Sequence, residues 1–278
     1  MLEPLTPVYT AELFAPLHDE LMRLLRGLDD ADWHRQTLAP AWRVRDVVGH
    51  MLDVHLRKLS GGRDGYRSTR PVSPSFADIT SFINDLNAGG VSYSTRLSPR
   101  VMTDLLNVAG RWVADFAMSL PQDQTAYISV LWAGEEQSTN WMDIGREYTE
   151  FWHHQMQIRE AVNAAPLLQR RWLHPLLDLS VRAFPRAYAG VTAPTGSAIL
   201  FEVTGEDTYA WTLVRGDPGW SVWRGHHDRP TATITTDAGT AWKMLYNALP
   251  GDGASQRVMI AGDASLAAPL LNARSVMV

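Results

Sequence analysis

Residues 32–52, DWHRQTLAPAWRVRDVVGHML, decide the fold of the first half of the chain. Pro40 precedes a segment of helical periodicity over about 43–60, and Gly61 follows it. His50 lies in that segment within an apolar run, next to Gly49, which would let a second helix approach closely. Taken alone, His50 is either a core histidine bonded to a backbone carbonyl or a polar side chain directed into a site.

Helical periodicity extends outward from this stretch to about residue 190, and then the pattern changes to short alternating runs. We predict helices over 9–28, 43–60, 75–89, 98–120, 140–164, 166–189, 237–249 and 263–272, strands over 197–204, 208–215, 220–224 and 231–236, and a loop over 61–74. The expected fold class is therefore α+β with two domains: a helical bundle over residues 1–165 and a small antiparallel-sheet α+β domain over 166–278.

Composition excludes several classes of function. The net charge of -5, with both signs interspersed, provides no basic stripe for phosphates, so neither nucleic acid nor an anionic membrane is an expected partner. No secretory signal and no apolar run of spanning length is visible, which favours a soluble, cytoplasmic protein. Because the chain has no cysteine, any metal must be held by His, Asp or Glu.

The segment 140–164 carries four titratable residues on one helix face. Asp143, Glu147, Glu150 and His154 fall within an arc of roughly 60°. Groups stacked so closely repel one another or compete for protons unless a cation or buried donors lie opposite them. A metal ion would resolve that conflict, whereas a solvated acidic face is an equally acceptable interpretation of Asp143 and Glu147.

Glu150 and His154 lie one helical turn apart, a spacing that suits two ligands of a single ion. The spacing is common on solvated helices, and it gains weight only when combined with His50. Two histidines and one carboxylate from two helices of a bundle leave coordination positions open, as in catalytic zinc sites.

The stretch 32–52 also resembles the N-terminal signature of the mycothiol-dependent maleylpyruvate isomerase family, within the DinB/YfiT-like superfamily. The resemblance implies a four-helix bundle in which a histidine after the Trp-x-Val-x-Asp-Val pattern and a later Glu-x-x-x-His pair bind zinc. Those positions are His50, Glu150 and His154 in this sequence.

The C-terminal half fits the same resemblance, because family members carry a domain of the sterol-carrier-protein type. Its closing pattern appears here as residues 258–266, VMIAGDASL. The family's Trp-Leu-x-Gly-Arg ending, whose arginine would reach the metal, is absent after Trp242. Arg224, Arg229 or Lys243 are the candidates to replace that arginine.

These features predict a zinc-dependent enzyme that uses an exogenous low-molecular-weight thiol such as mycothiol. The metal would lower the pKa of the thiol, and the thiolate would attack a small electrophilic substrate in a transfer or isomerisation reaction. Asp143 and Glu147 would orient ligands or handle protons. The alternatives are a metal-dependent hydrolase that uses bound water and a non-catalytic lipid-binding or small-molecule-binding protein.

Other polar residues receive weaker assignments. We expect His153 at the surface or in a different contact, since it points about 100° away from His154. Asp53 could be a hydrogen-bonding partner of His50. The run His226-His227-Asp228 is expected in a solvated loop, with an approach to the bundle site as the alternative.

Overall fold

The computed structural model describes residues 1–66, 69–73, 75–249 and 253–277. The chain folds into two compact units. The helical unit comprises residues 9–128 and 139–166, and the C-terminal unit comprises residues 1–8, 129–138 and 167–278. Our proposed boundary after residue 165 assigns the two short early segments to the bundle, whereas in the structure they belong to the C-terminal unit.

In the described part of the helical unit, five long helices are present: α1 (Phe14–Arg26), α2 (Val44–Lys58), α3 (Phe76–Ser94), α4 (Pro99–Ser119) and α5 (Asn140–Ala161). Polar residues fix where they begin. The Asp46 carboxylate accepts a 2.9 Å hydrogen bond from the Arg43 N–H at the start of α2. The Ser98 hydroxyl caps α4, which has Pro99 in its first turn.

The core of this unit is built around α2. Its apolar residues Val44, Val47, Val48, Met51 and Leu52 pack with residues of α1, α4 and α5. Helix α3 approaches the same helix at Gly49, where a Cβ would collide with the Ser94 side chain. The glycine therefore serves the close approach that the sequence suggested.

The C-terminal unit contains a six-stranded sheet flanked by helices. Its strands are β1 (Glu3–Pro4), β2 (Ala198–Thr204), β3 (Tyr209–Arg215), β4 (Trp220–Arg224), β5 (Ala232–Asp237) and β6 (Met259–Gly262), in the order β1-β4-β3-β2-β5-β6. Its helices are α6 (Arg170–Ser180), α7 (Phe184–Ala187), α8 (Ala238–Leu245) and α9 (Ala264–Ala267). The α+β class with two domains is confirmed.

Several details differ from the prediction, which did not include the strands β1 and β6. The sheet is mixed rather than antiparallel, because β5 pairs with β2 in parallel after the connection that follows β4. The segment 166–189 is not one helix, since α6 ends at Ser180 and a 3₁₀ turn separates it from α7. A π-helical turn over residues 59–63 runs from the end of the predicted helix into the predicted loop 61–74, and residues 67, 68 and 74 lie outside the described residues.

Among the described residues, no helix combines the length and the apolar character needed to cross a membrane.

Candidate metal centre

Helices α2 and α5 bring His50, Glu150 and His154 together inside the helical unit. The Nε2 atoms of His50 and His154 lie 3.1 Å apart, and both side chains are buried. Glu150 Oε2 lies 3.6 Å from His154 Nε2. Two nitrogens bound at about 2.0–2.1 Å to a tetrahedral zinc ion would be roughly 3.3–3.4 Å apart. The pair of imidazoles therefore fits the ligand spacing of such an ion.

A neighbouring amide orients His154. Its Nδ1 lies 3.0 Å from Gln157 Oε1, an atom that only accepts hydrogen bonds. The contact places the ring proton on Nδ1 and leaves the lone pair of Nε2 facing His50. Gln157 was not predicted as a site residue, although its position one turn after His154 was a usable signal.

An aromatic ring covers the other histidine. The centroids of the Trp42 and His50 rings are 4.7 Å apart, with an interplanar angle of 36°. The Trp42 ring also lies near His154, with centroids 6.2 Å apart. Trp42 begins the Trp-x-Val-x-Asp-Val pattern and His50 follows that pattern, so one short stretch supplies both a candidate ligand and an apolar wall beside it.

His153 offers a second way to complete the site. Glu150, His153 and His154 form a group of potential ligand atoms that all lie within 4.8 Å of one another. The side chain of His153 is buried, so its expected place at the surface is wrong. Its Nδ1 lies 3.1 Å from the Thr149 carbonyl oxygen, which requires that nitrogen to carry a proton. A protonated ring nitrogen has no lone pair for a metal, which favours His50 over His153 Nδ1.

Burial keeps the imidazoles neutral. Loss of solvation, aided by the neighbouring His153, lowers the pKa of His154 to about 3. Loss of solvation, followed by the charge of His154, lowers the pKa of His50 well below its usual value. Burial also raises the pKa of Glu150, although His154 opposes the shift. Neutral imidazoles beside the partly buried carboxylate of Glu150 would be stabilised by a cation.

Asp143 and Glu147, on the same face of α5, already have cations beside them. Lys58 Nζ lies 2.6 Å from Asp143 Oδ2 and 3.4 Å from Glu147 Oε1. Arg146 Nη2 lies 2.7 Å from Asp143 Oδ1 and 2.6 Å from Glu147 Oε1. Both carboxylates are buried, so the solvated acidic face considered for them is wrong.

Glu147 is ionised within this ion cluster. Burial favours the neutral acid, but the charges of Arg146 and Lys58 outweigh it and hold the pKa of Glu147 at about 2. A carboxylate with so low a pKa is a poor acid or base near neutral pH. The sequence reasoning did not single out Lys58 or Arg146.

Asp53 lies elsewhere than expected. Its carboxylate accepts a 2.7 Å hydrogen bond from Arg57 Nε, and Arg57 also donates to Asn87 Oδ1. A Cβ on Gly90 would collide with the Asp53 side chain. Asp53 therefore joins α2 to α3, and the expected pairing with His50 is not formed.

The three residues considered as replacements for the arginine of the family pattern lie in the C-terminal unit. Arg224 Nη2 lies 2.7 Å from the buried Asp178 Oδ2, and Lys243 Nζ lies 5.7 Å from the centre of the Trp242 ring. Arg229 donates its backbone N–H to His227 Nδ1 over 3.2 Å.

The run His226-His227-Asp228 occupies an exposed loop after β4. His226 Nε2 lies 3.0 Å from Glu202 Oε1. Within its unit, this run is engaged with the surface of the sheet.

Known structures superpose on this chain to different extents. A mycothiol-dependent maleylpyruvate isomerase superposes with a TM-score of 0.53 and 14% identity, covering 91% of this chain and 92% of the other. A mutant of that isomerase gives a TM-score of 0.52 at 13% identity with the same coverage. A sterol carrier protein 2 like 2 from Aedes aegypti covers 34% of this chain and 93% of its own, with 17% identity and a TM-score of 0.28.

No curated protein matches the sequence. The family model described as the mycothiol maleylpyruvate isomerase N-terminal domain matches residues 14–159, which is more than half of the chain. That range contains all five long helices except the last two residues of α5, together with His50, Glu150 and His154. The chain belongs to the mycothiol maleylpyruvate isomerase N-terminal domain family.

Proposed function

We propose that this protein is a zinc-dependent enzyme that uses an external thiol, mycothiol or a close analogue, to isomerise or thiolate a small electrophilic substrate. The observation that carries the proposal is the 3.1 Å separation of the Nε2 atoms of His50 and His154, with the Glu150 carboxylate beside them. Three donors from two helices leave room for an exogenous ligand.

The chain's own residues would prepare the site in three ways. His50, Glu150 and His154 hold the ion, and the Gln157 amide fixes the ring of His154 in the tautomer that ligation needs. The Trp42 ring excludes water from one side of His50. When bound, zinc lowers the pKa of a coordinated thiol, so that thiolate is available near neutral pH.

The sulfur must come from outside, since the chain has no cysteine. Such a thiol would supply a nucleophile for isomerisation by reversible addition: addition to an activated double bond would leave a single bond free to rotate, and elimination would restore the double bond and the thiolate. The family relationship and the match to an isomerase of that name support this reaction over hydrolysis by bound water. Asp143 and Glu147 would act as positioning residues, because both are engaged with Lys58 and Arg146.

Cobalt spectroscopy tests the proposal. The protein is loaded with Co²⁺ and titrated with mycothiol, and we expect a thiolate-to-cobalt charge-transfer band together with isomerisation of maleylpyruvate. The variant His154→Ala should lose the band, while the matched variant His153→Ala should keep it. Bound cobalt with no band for any thiol would overturn the thiol-dependent reaction and favour the hydrolase.

A further inference from the structure

Helix α4 exposes an apolar stripe to solvent. Val101, Leu105, Val108 and Trp112 are each between 43% and 50% exposed. Their spacing of four, three and four residues places them on one line along the helix, as in a helix that packs against another helix. This stripe lies beside the buried face of α4, but its own side chains remain exposed to solvent. Contiguous exposed apolar surface of this kind marks an interaction site.

Four charged residues follow one border of the stripe. Arg100, Asp104, Arg111 and Asp115 are all exposed and fall within an arc of roughly 60° on the side away from the buried face. Their signs alternate along the helix: positive, negative, positive, negative. Arg111 has only a surface contact, 3.7 Å from Asp19, between side chains that are more than half exposed. Such a contact contributes little and can be exchanged.

We propose that this stripe is the interface of a homodimer, in which α4 packs antiparallel against α4 of a second copy about a twofold axis. In such a pair, each border of the stripe meets the same border of the partner helix. Arg100 then faces the partner's Asp115, and Asp104 faces the partner's Arg111. Both pairings place the axis between residues 107 and 108. A parallel pair would bring this charged border against the other border of the partner helix, which carries no charge, so the alternating charges would have no counterpart.

The same axis also fits the apolar residues together. With a rise of about 1.5 Å per residue, Val108 lies at nearly the same level as the partner's Val108. The partner's Trp112 falls at the level of residue 103, between Val101 and Leu105 on the stripe. Charge order and apolar spacing, which are independent features of α4, therefore select one register. This self-complementarity favours a second copy over an unrelated partner.

Cross-linking tests the register directly, because the chain has no cysteine. In the zinc-loaded protein, Val108→Cys should form a disulfide-linked dimer under mild oxidation, since the two sulfurs meet near the axis. Glu206→Cys, at an exposed turn of the C-terminal unit, is the control and should remain monomeric. Failure of Val108→Cys to cross-link above the level of this control would overturn the proposal.

Light scattering across a wide concentration range tests the dimer and its charge pairing. We expect twice the 31.0 kDa chain mass for the parent protein and a monomer for Leu105→Glu. Asp104→Arg and Arg111→Asp should each weaken the dimer at least tenfold, and the double variant should restore it, because the swapped charges again face each other. A parent monomer at every concentration, a dimer unaffected by Leu105→Glu, or a double variant as weak as the single ones would overturn the proposal. Circular dichroism establishes that each variant is folded.

Discussion

Two titratable clusters lie one turn apart on α5, and they differ in where their positive charge comes from. Asp143 and Glu147 have Lys58 and Arg146 against them, so that cluster is neutralised within the chain. The group of Glu150 and His154 with His50 has no ion pair with Lys or Arg among the described residues, although the charge of Arg146 acts to lower the pKa of Glu150. Burial disfavours the protonated forms of the two imidazoles. The first cluster is therefore neutralised within the chain, whereas the proposed function would have an external cation neutralise the second.

Removal of Lys58, one of the two cations in the cluster of Asp143 and Glu147, should produce the largest loss of stability. Lys58→Met leaves Arg146 to balance two buried carboxylates, and we expect a loss of about 3–5 kcal/mol in the free energy of unfolding. Urea unfolding of zinc-free protein, followed by circular dichroism, measures it. The neighbouring Arg57→Met breaks a partly exposed ion pair and should cost about 1 kcal/mol or less. Equal losses from the two variants would contradict a structural role for the Lys58 cluster.

Removal of a ligand from the other cluster should abolish the stabilisation that zinc provides. Zinc at a free concentration a thousand times its dissociation constant should stabilise the parent protein by about 4 kcal/mol, which raises the temperature of thermal unfolding. His154→Ala and His50→Ala should show no such rise and should carry little zinc by elemental analysis. His153→Ala is the matched control and should retain both. If it behaves like His154→Ala, the ligand set is Glu150, His153 and His154 instead.

Much of what distinguishes the two clusters of α5 could be predicted from the sequence. The breakers Pro40 and Pro99 fixed the starts of α2 and α4 to within a few residues. The face shared by Asp143, Glu147, Glu150 and His154 follows from helical periodicity alone, and the structure places Asp143, Glu147 and His154 in buried positions. Periodicity within one helix is a local property, so one sequence suffices to predict it.

The contacts that these residues make with other helices could not be predicted from the sequence. Lys58 shares a face of α2 with Met51 and His55, both buried, which was a signal that its ammonium would also be buried. Its pairing with Asp143 depends on how α2 packs against α5, which no local pattern specifies. For the same reason the parallel pairing of β5 with β2 was missed: alternation reveals a strand but not its neighbour.

Lowering the pH should reduce the stability that the ion pairs of Glu147 provide. The pKa of Glu147 is held at about 2 in the folded protein, below its ordinary value of 4.5, so its ionised form favours folding. That contribution is fully present above about pH 4.5 and is lost as the pH falls towards 2, with a total of up to about 3 kcal/mol. Urea midpoints measured across this range should therefore fall less steeply for Glu147→Gln than for the parent. Identical slopes would show that Glu147 is not stabilised by its neighbours.

The smallest effect should come from the amide that orients His154. Gln157→Leu keeps all three proposed ligands but removes the acceptor for Nδ1–H, and outer contacts of this kind typically change metal affinity by about 10–100-fold. Competition with a chelator measures that affinity, and Gln157→Glu, which retains an acceptor oxygen, should recover most of it.

Gln155→Leu provides the matched control. Its amide donates to the Leu17 carbonyl and accepts from Arg159, so its loss should lower the free energy of unfolding and leave zinc affinity unchanged. A fall in zinc affinity confined to Gln157→Leu would separate an orienting contact from a merely buried one. Equal falls in zinc affinity for both variants would mean that the site depends on the packing of α5 as a whole, because neither amide would then act on the ligand individually.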